Sequence, residues 1–176
     1  MIRMIGCVDV DYRGTRAVAA GIAFRDWLDD SGVVERVVTV SDIQPYQPGQ
    51  FFIRELPCLL AVLRVLPPLQ IVLIDAYVWL EQNRPGLGAH LYESLDGRVS
   101  VIGVAKTRYL GAGSVQEIAR GKSRRPLYIS AIGMSVRQAA EHVYSMSGLY
   151  RIPTLLKRVD LLSRAGQQLV ERSELR

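Results

Sequence analysis

Along the first forty residues the apolar positions alternate or cluster in short blocks; farther on they fall at three-and-four spacing. The runs 3–11 (RMIGCVDVD) and 15–25 (TRAVAAGIAFR) are separated by YRG and predict an antiparallel hairpin with Gly14 in its turn. A third run, 33–41 (VVERVVTVS), completes a meander. Residues 42–50 (DIQPYQPGQ) carry two prolines, which exclude both helix and central strand, so this stretch is a loop. Helical spacing returns over 51–66 (FFIRELPCLLAVLRVL), with Pro57 marking an early turn or a kink. After Pro67-Pro68, the continuous apolar run 69–78 (LQIVLIDAYV) predicts a central strand buried on both faces. A helix over 86–95, strands over 98–107 and 125–133, a helix over 135–146 and a last helix over 152–173 follow, with Pro153 tolerated in a first turn.

Three antiparallel strands followed by strands alternating with helices describe an α/β domain, a mixed sheet flanked by helices on both faces. The order β-β-β-α-β-α-β is also that of the ribonuclease H-like fold. A length of 176 residues, 49% of them hydrophobic, predicts one domain spanning 1–176. A fold of this kind hosts many activities, so function has to be argued from a site.

Composition narrows the setting. Cys7 and Cys58 both lie inside apolar runs, which suits buried, reduced thiols better than a disulfide or a metal cage. The N-terminal stretch becomes charged too early for a secretory signal, and no apolar run approaches the ~20 residues that span a membrane. A soluble cytoplasmic protein, without membrane partner and monomeric, is expected. The formal net charge is +5 and the basic residues are mostly arginine, whose planar fork suits phosphate. Lys122, Arg124 and Arg125, in ARGKSRRP at 119–126, form the densest basic patch and offer a place for a phosphate backbone.

Asp75 closes an apolar run, where an ionised carboxylate costs several kcal/mol unless something pairs with it. Asp9, on the first strand, is a better inward-facing candidate than Asp11, and Glu55 lies near the start of the first helix. In a sheet of the predicted order these three acids can converge. Converging carboxylates repel until a proton or a cation relieves them, and oxygen-rich clusters suit Mg²⁺ or Mn²⁺. Such an ion supports phosphodiester hydrolysis. Taken singly, each acid also reads as a strand-end ion pair, with Arg54, Arg64 and Lys106 as the available partners.

These residues carry a resemblance to the endonuclease V family, nucleases of ribonuclease H-like fold. GCVDVDY resembles the family's first-strand motif, PYQPGQFFIRELP its proline-tyrosine loop and helix, and IVLIDAYV its second aspartate strand. VIGVAKTRYLG resembles its lysine motif and RRPLYISAIGM its last strand, and the match is collinear over about residues 5–165. The resemblance implies that Asp9, Glu55 and Asp75 bind the metal and that Lys106 is the active-site lysine. It makes Tyr46, between Pro45 and Pro48, the wedge that fills the gap left by a flipped base, and it puts Ala76 in the base pocket. The implied reaction is Mg²⁺-dependent cleavage 3′ to deoxyinosine in DNA or inosine in RNA, a DNA-repair activity.

The chain also departs from the family pattern. Asp75-Ala76-Tyr77-Val78 stands where the family has Asp-Gly-His-Gly, and Gly133-Met134 where it has a late histidine. Two alternatives therefore accompany the main reading: a related nuclease with altered substrate specificity, and a nucleic-acid-binding homologue with impaired catalysis. Asp160 falls near a position where ribonuclease H-like proteins often carry a further acid.

Overall fold

β1 (Met4–Arg13) turns at Gly14-Thr15 into β2 (Arg16–Phe24), and β3 (Val34–Val40) pairs antiparallel on β2, as the meander predicts. This is a computed structural model, and it describes residues 4–41, 43–45, 50–81 and 84–174, with side chains to residue 166. Helix α1 (Phe51–Leu63) leads to β4 (Leu69–Ile74), which lies parallel beside β1. A short ribbon, β5 (Trp79–Glu81) with β6 (Arg84–Pro85), precedes α2 (Leu87–Ser94) and β7 (Ser100–Ala105). Then come β8 (Gln116–Ile118), β9 (Leu127–Ile132), α3 (Val136–Ser145) and α4 (Thr154–Glu174). The main sheet runs β3-β2-β1-β4-β7-β9-β8, with β1, β4 and β7 mutually parallel and β9 antiparallel to β7.

Side-chain alternation divides each central strand between two cores. Val8, Val72 and Val101 pack with Leu59 and Val62 of α1 and Leu91 of α2. Cys7, Leu73 and Ile102 pack with Val143 of α3 and Leu155 of α4. Each of these is fully buried or nearly so, worth roughly 1.5–3 kcal/mol apiece for the larger aliphatics. The paired thiol predictions hold, since both Cys7 and Cys58 are buried and free.

The differences from the sequence pattern cluster around one turn. The strand predicted over 69–78 stops at Ile74, and Asp75 lies beyond it, exposed rather than interior. What ends the strand is a side chain: Val78 N donates to the buried Ser130 Oγ of β9 at 3.0 Å, while Val78 O accepts from Gly86 N at 2.8 Å. Gly86 permits that approach, because a Cβ there would stand 2.7 Å from Tyr77 O. The β5-β6 ribbon and β8 escape the pattern because elements of two or three residues are too short to repeat an alternation of period two. Pro57 lies inside α1, and the helix continues to Leu63 through it.

Gly103 is the tightest point beneath this turn. A Cβ on it would meet Ala76 O at 2.3 Å and Ser130 Oγ at 2.6 Å. Gly103→Ala is expected to cost about 1–3 kcal/mol, typical of overpacking. Urea unfolding checks it: the midpoint falls with the slope unchanged, and an unaltered midpoint would show that the turn yields freely.

Candidate active site

The positions of three key side chains follow from strand parity. Ile5 and Cys7 face the α3/α4 core, so Asp9 does too; Ile71 and Leu73 set the same side for Asp75, and Ile102 and Val104 for Lys106. The β1–β4 register places Val8 opposite Ile74, which sets Asp9, inside β1, beside Asp75, the residue just past the end of β4. Lys106 Nζ lies 2.5 Å from Asp75 Oδ2, and the two side chains are 43% and 40% exposed. Water therefore reaches this pair, and its contribution to stability is modest. Helix α4 closes the site: Ser163, wholly buried, donates from Oγ to Asp9 Oδ2 at 3.0 Å. Asp9, Asp75, Lys106 and Asp160 line one cavity of about 30 Å³.

Glu55 comes from the opposite face. Tyr12 shares the parity of Val8 and Val10, points to α1, and donates its hydroxyl to Glu55 Oε2 at 2.7 Å. The Arg54 guanidinium stacks over the Tyr12 ring at 3.9 Å. Glu55 is 9% exposed, and its carboxyl is raised to about 7, first by burial and then by the charges of Asp9 and Asp75, against the opposing pull of Tyr12 and Arg54. Burial likewise raises Asp9; Asp75 and Asp160 add to the rise, while Ser163 and Lys106 oppose it. For Asp160 burial also pushes upward, but Lys157 and Arg164 outweigh it and hold the carboxyl below its ordinary value. The acids thus act on one another through a shared field.

Could these residues hold a divalent ion? Among the described residues no three His, Cys, Asp or Glu side chains stand close enough together to cage one. Asp9 and Asp75, however, present hard oxygen donors to one cavity, and Mg²⁺ usually binds through one or two carboxylates plus waters and substrate phosphates. A cavity of about 30 Å³ has room for a single small ion or a water. The donor chemistry fits.

A larger hollow of about 470 Å³ shares Asp75 and Lys106 with that cavity, and Phe51, Phe52, Ala76 and Leu87 contribute to its apolar wall. Ala76, expected in a base pocket, lines it. Pro45 is exposed, whereas Tyr46 and Pro48 lie outside the described residues. Lys122, Arg124 and Arg125 project into solvent from the β8–β9 connection. Of the cations considered as structural partners, Lys106 does pair with Asp75, Arg54 stacks on Tyr12, and Arg64 is an exposed cap of α1. His90 stacks on Phe52 and His142 on Trp27, both packing roles.

Gly133 follows the far end of β9: Tyr128 pairs with Ala105 beside Lys106, while Ile132 pairs with Val101. Four strand steps span roughly 13 Å, so a histidine at 133 would stand well away from Asp9 and Asp75. Sequence reasoning missed Tyr12, Ser163, Ser130 and Arg151. Tyr12 had a visible signal, two residues of alternation from Val10 and next to the acidic motif. The other three had none. Arg151 donates from Nη2 to Lys106 O and to Pro126 O, and its loop is gripped by Arg120, a buried guanidinium that donates to the carbonyls of Tyr144, Met146, Gly148, Tyr150 and Arg151.

The sheet order β3-β2-β1-β4-β7-β9-β8, with its three antiparallel strands first, is that of the ribonuclease H-like class. The endonuclease V family model matches residues 1–144. Endonuclease V of Streptomyces coelicolor is 33% identical over 182 aligned positions, covering 90% of this chain and 77% of that protein. The crystal structure of endonuclease V from Streptomyces avermitilis superposes with a TM-score of 0.77 at 26% identity, over 96% of this chain and 82% of that one. Endonuclease V of Ciona intestinalis, in complex with a 24mer DNA containing an inosine, shares the fold with a TM-score of 0.80 at 21% identity, over 96% and 87% of the two chains. The chain belongs to the endonuclease V family, which implies a divalent-metal requirement. No helix among the described residues is long and apolar enough to cross a membrane.

The raised Glu55 carboxyl makes the metal-free protein pH-sensitive. Between its ordinary value of 4.5 and about 7, the folded state keeps a proton that the unfolded chain has released. Stability from this group is therefore full below pH 4.5 and declines as pH rises through about 7, by on the order of 3 kcal/mol at most. Denaturant titrations of wild type and Glu55→Gln in chelator check the sign: the variant loses this pH slope, and a wild-type slope equal to that of the variant would contradict the assignment.

Proposed function

We propose that this protein hydrolyses the phosphodiester bond on the 3′ side of a deaminated purine, deoxyinosine in DNA or inosine in RNA, in nucleic-acid repair. The observation that carries this reading is the Asp75–Lys106 pair, which borders both the cavity that Asp9 lines and the 470 Å³ apolar hollow. The volume lies in the range of small-molecule pockets, and the Ciona relative was crystallised with inosine-containing DNA. One nuclease domain spans the chain in this reading.

Asp9 and Asp75 would hold Mg²⁺, for which Mn²⁺ can substitute, with Glu55 adjoining. When bound, such an ion polarises the phosphate and lowers the pKa of a water. Lys106 exchanges its partner Asp75 for a phosphate oxygen of the substrate, a charge-assisted contact of the same kind. Glu55, buried and held by Tyr12, would add the third carboxylate of the metal-binding set from the α1 side. Tyr46, flanked by Pro45 and Pro48, acts as the wedge, Ala76 borders the flipped base, and Lys122, Arg124 and Arg125 meet the backbone.

Altered specificity is the second reading, favoured by the turn itself. Tyr77 Oη donates to Thr107 O at 2.7 Å and accepts from Tyr109 N at 3.1 Å, so its hydroxyl is committed to the loop after Lys106 rather than offered to a base.

End-labelled oligonucleotides carrying deoxyinosine, inosine, uracil, an abasic site or no lesion, with Mg²⁺, Mn²⁺ or chelator, separate the readings. Cleavage is expected only beside the deaminated purine and only with metal. Equal cutting of every substrate supports altered specificity, and binding without cutting supports a catalytically impaired homologue. Asp75→Asn is expected to lower turnover by at least about a hundredfold with the circular dichroism spectrum unchanged; full turnover in that variant would remove Asp75 from the chemistry.

A further inference from the structure

Beyond Ile152 lies an open groove of about 830 Å³, of whose lining only Lys122 has been given a role in substrate binding above. Lys122, Arg151, Lys157 and Arg158 line it, no carboxylate among the described residues does, and Tyr150 and Leu161 supply apolar surface. Part of this charge is answered from outside the lining. Lys157 lies 3.2 Å from Asp160, and Arg158 lies 2.9 Å from Glu35. Lys122 is exposed and Arg151 donates only to carbonyls, so both keep an uncompensated positive charge.

Tyr150 is 80% exposed, yet its backbone is not loose. The Arg120 guanidinium holds the carbonyls of Tyr150 and Arg151 at 3.1 and 3.4 Å, which presents the ring on a fixed support. Fixed aromatic surface beside uncompensated cations matches a strand that alternates phosphates with flat bases. An acidic peptide or a lone phosphate would satisfy the charges and leave the ring bare.

Three hollows lie in succession. The 470 Å³ pocket and the carboxylate cavity share Asp75 and Lys106, and the carboxylate cavity and the groove share Ile152. We infer that the groove holds the unpaired nucleotides immediately 3′ of the cut, with phosphates on Lys122 and Arg151 and a base stacked on Tyr150. The 3′ direction rests on the proposed substrate, since the flipped base must fill the first hollow; occupation by a strand does not.

Photo-crosslinking tests it. Single strands carrying deoxyinosine and one 5-iodouracil are irradiated with the full-length protein, with magnesium present and again with it withheld, and the joined peptide is mapped by mass spectrometry. A label two to four nucleotides 3′ of the lesion is expected on the peptide containing Tyr150, and a label placed 5′ is not. Tyr150→Ala should lower that yield about tenfold, and Lys122→Gln should reduce the salt slope of single-strand binding by about 0.7. A 3′ label that maps elsewhere, or whose yield Tyr150→Ala leaves unchanged, overturns the inference. A strand without deoxyinosine isolates the substrate reading: if it joins Tyr150 equally well from every label position, the groove binds a strand but the lesion-directed register fails.

Discussion

Two carboxyl groups held side by side, one inside β1 and one just past the end of β4, are the constraint around which the rest of this protein is arranged. Parallel pairing of β1 with β4 ends at Val8 and Ile74, so Asp9 and Asp75 follow directly on the last pair of the central ladder. Burial raises the carboxyls of Asp9 and Glu55, and the charges of the neighbouring acids push in the same direction. Ser163, Lys106 and Tyr12 each offset part of the rise, and each comes from a different element. A site so arranged is relieved further by a proton or a cation, which links its ligand chemistry directly to its stability.

The scaffold spends its polar contacts on keeping that arrangement in place. Ser130 reaches across from β9 to take the N–H of Val78, so the turn after Asp75 is set by a neighbouring strand. Arg151 ties the backbone of Lys106 to that of Pro126, and Arg120 holds the loop from which Arg151 extends. Both guanidiniums donate to carbonyls alone, although the buried Nε of Arg151 has no partner among the described residues. A carboxylate partner at Arg151 would have added negative field next to acids that already repel, whereas carbonyl dipoles accept its hydrogen bonds without a further net charge.

Much of this was legible in the chain. The meander, the buried β4 and β7 strands and the amphipathic α1 and α3 follow from periods of two and 3.6, and the acidic motifs stood out because charges interrupt apolar runs. The short ribbon and β8 were not legible, since their pairing depends on what lies beside them. The extent of β4 misled for a related reason: Asp75-Ala76-Tyr77-Val78 continues an apolar pattern, but Ser130, far along the chain, turns it away. Ser163 and Arg151 sit among ordinary helix and loop residues, and nothing local distinguishes them.

By itself, then, the sequence determined which residues form strands and helices, which face of each strand is apolar, and that three acids and a lysine interrupt those faces. Local periodicity and the cost of burying charge suffice for that. Only the tertiary structure decided that Asp9 and Asp75 are neighbours, that Glu55 arrives from the other face under Tyr12, and that a basic groove continues past Ile152. Register and helix placement are settled by contacts between distant segments, and no local pattern encodes the distance between two side chains.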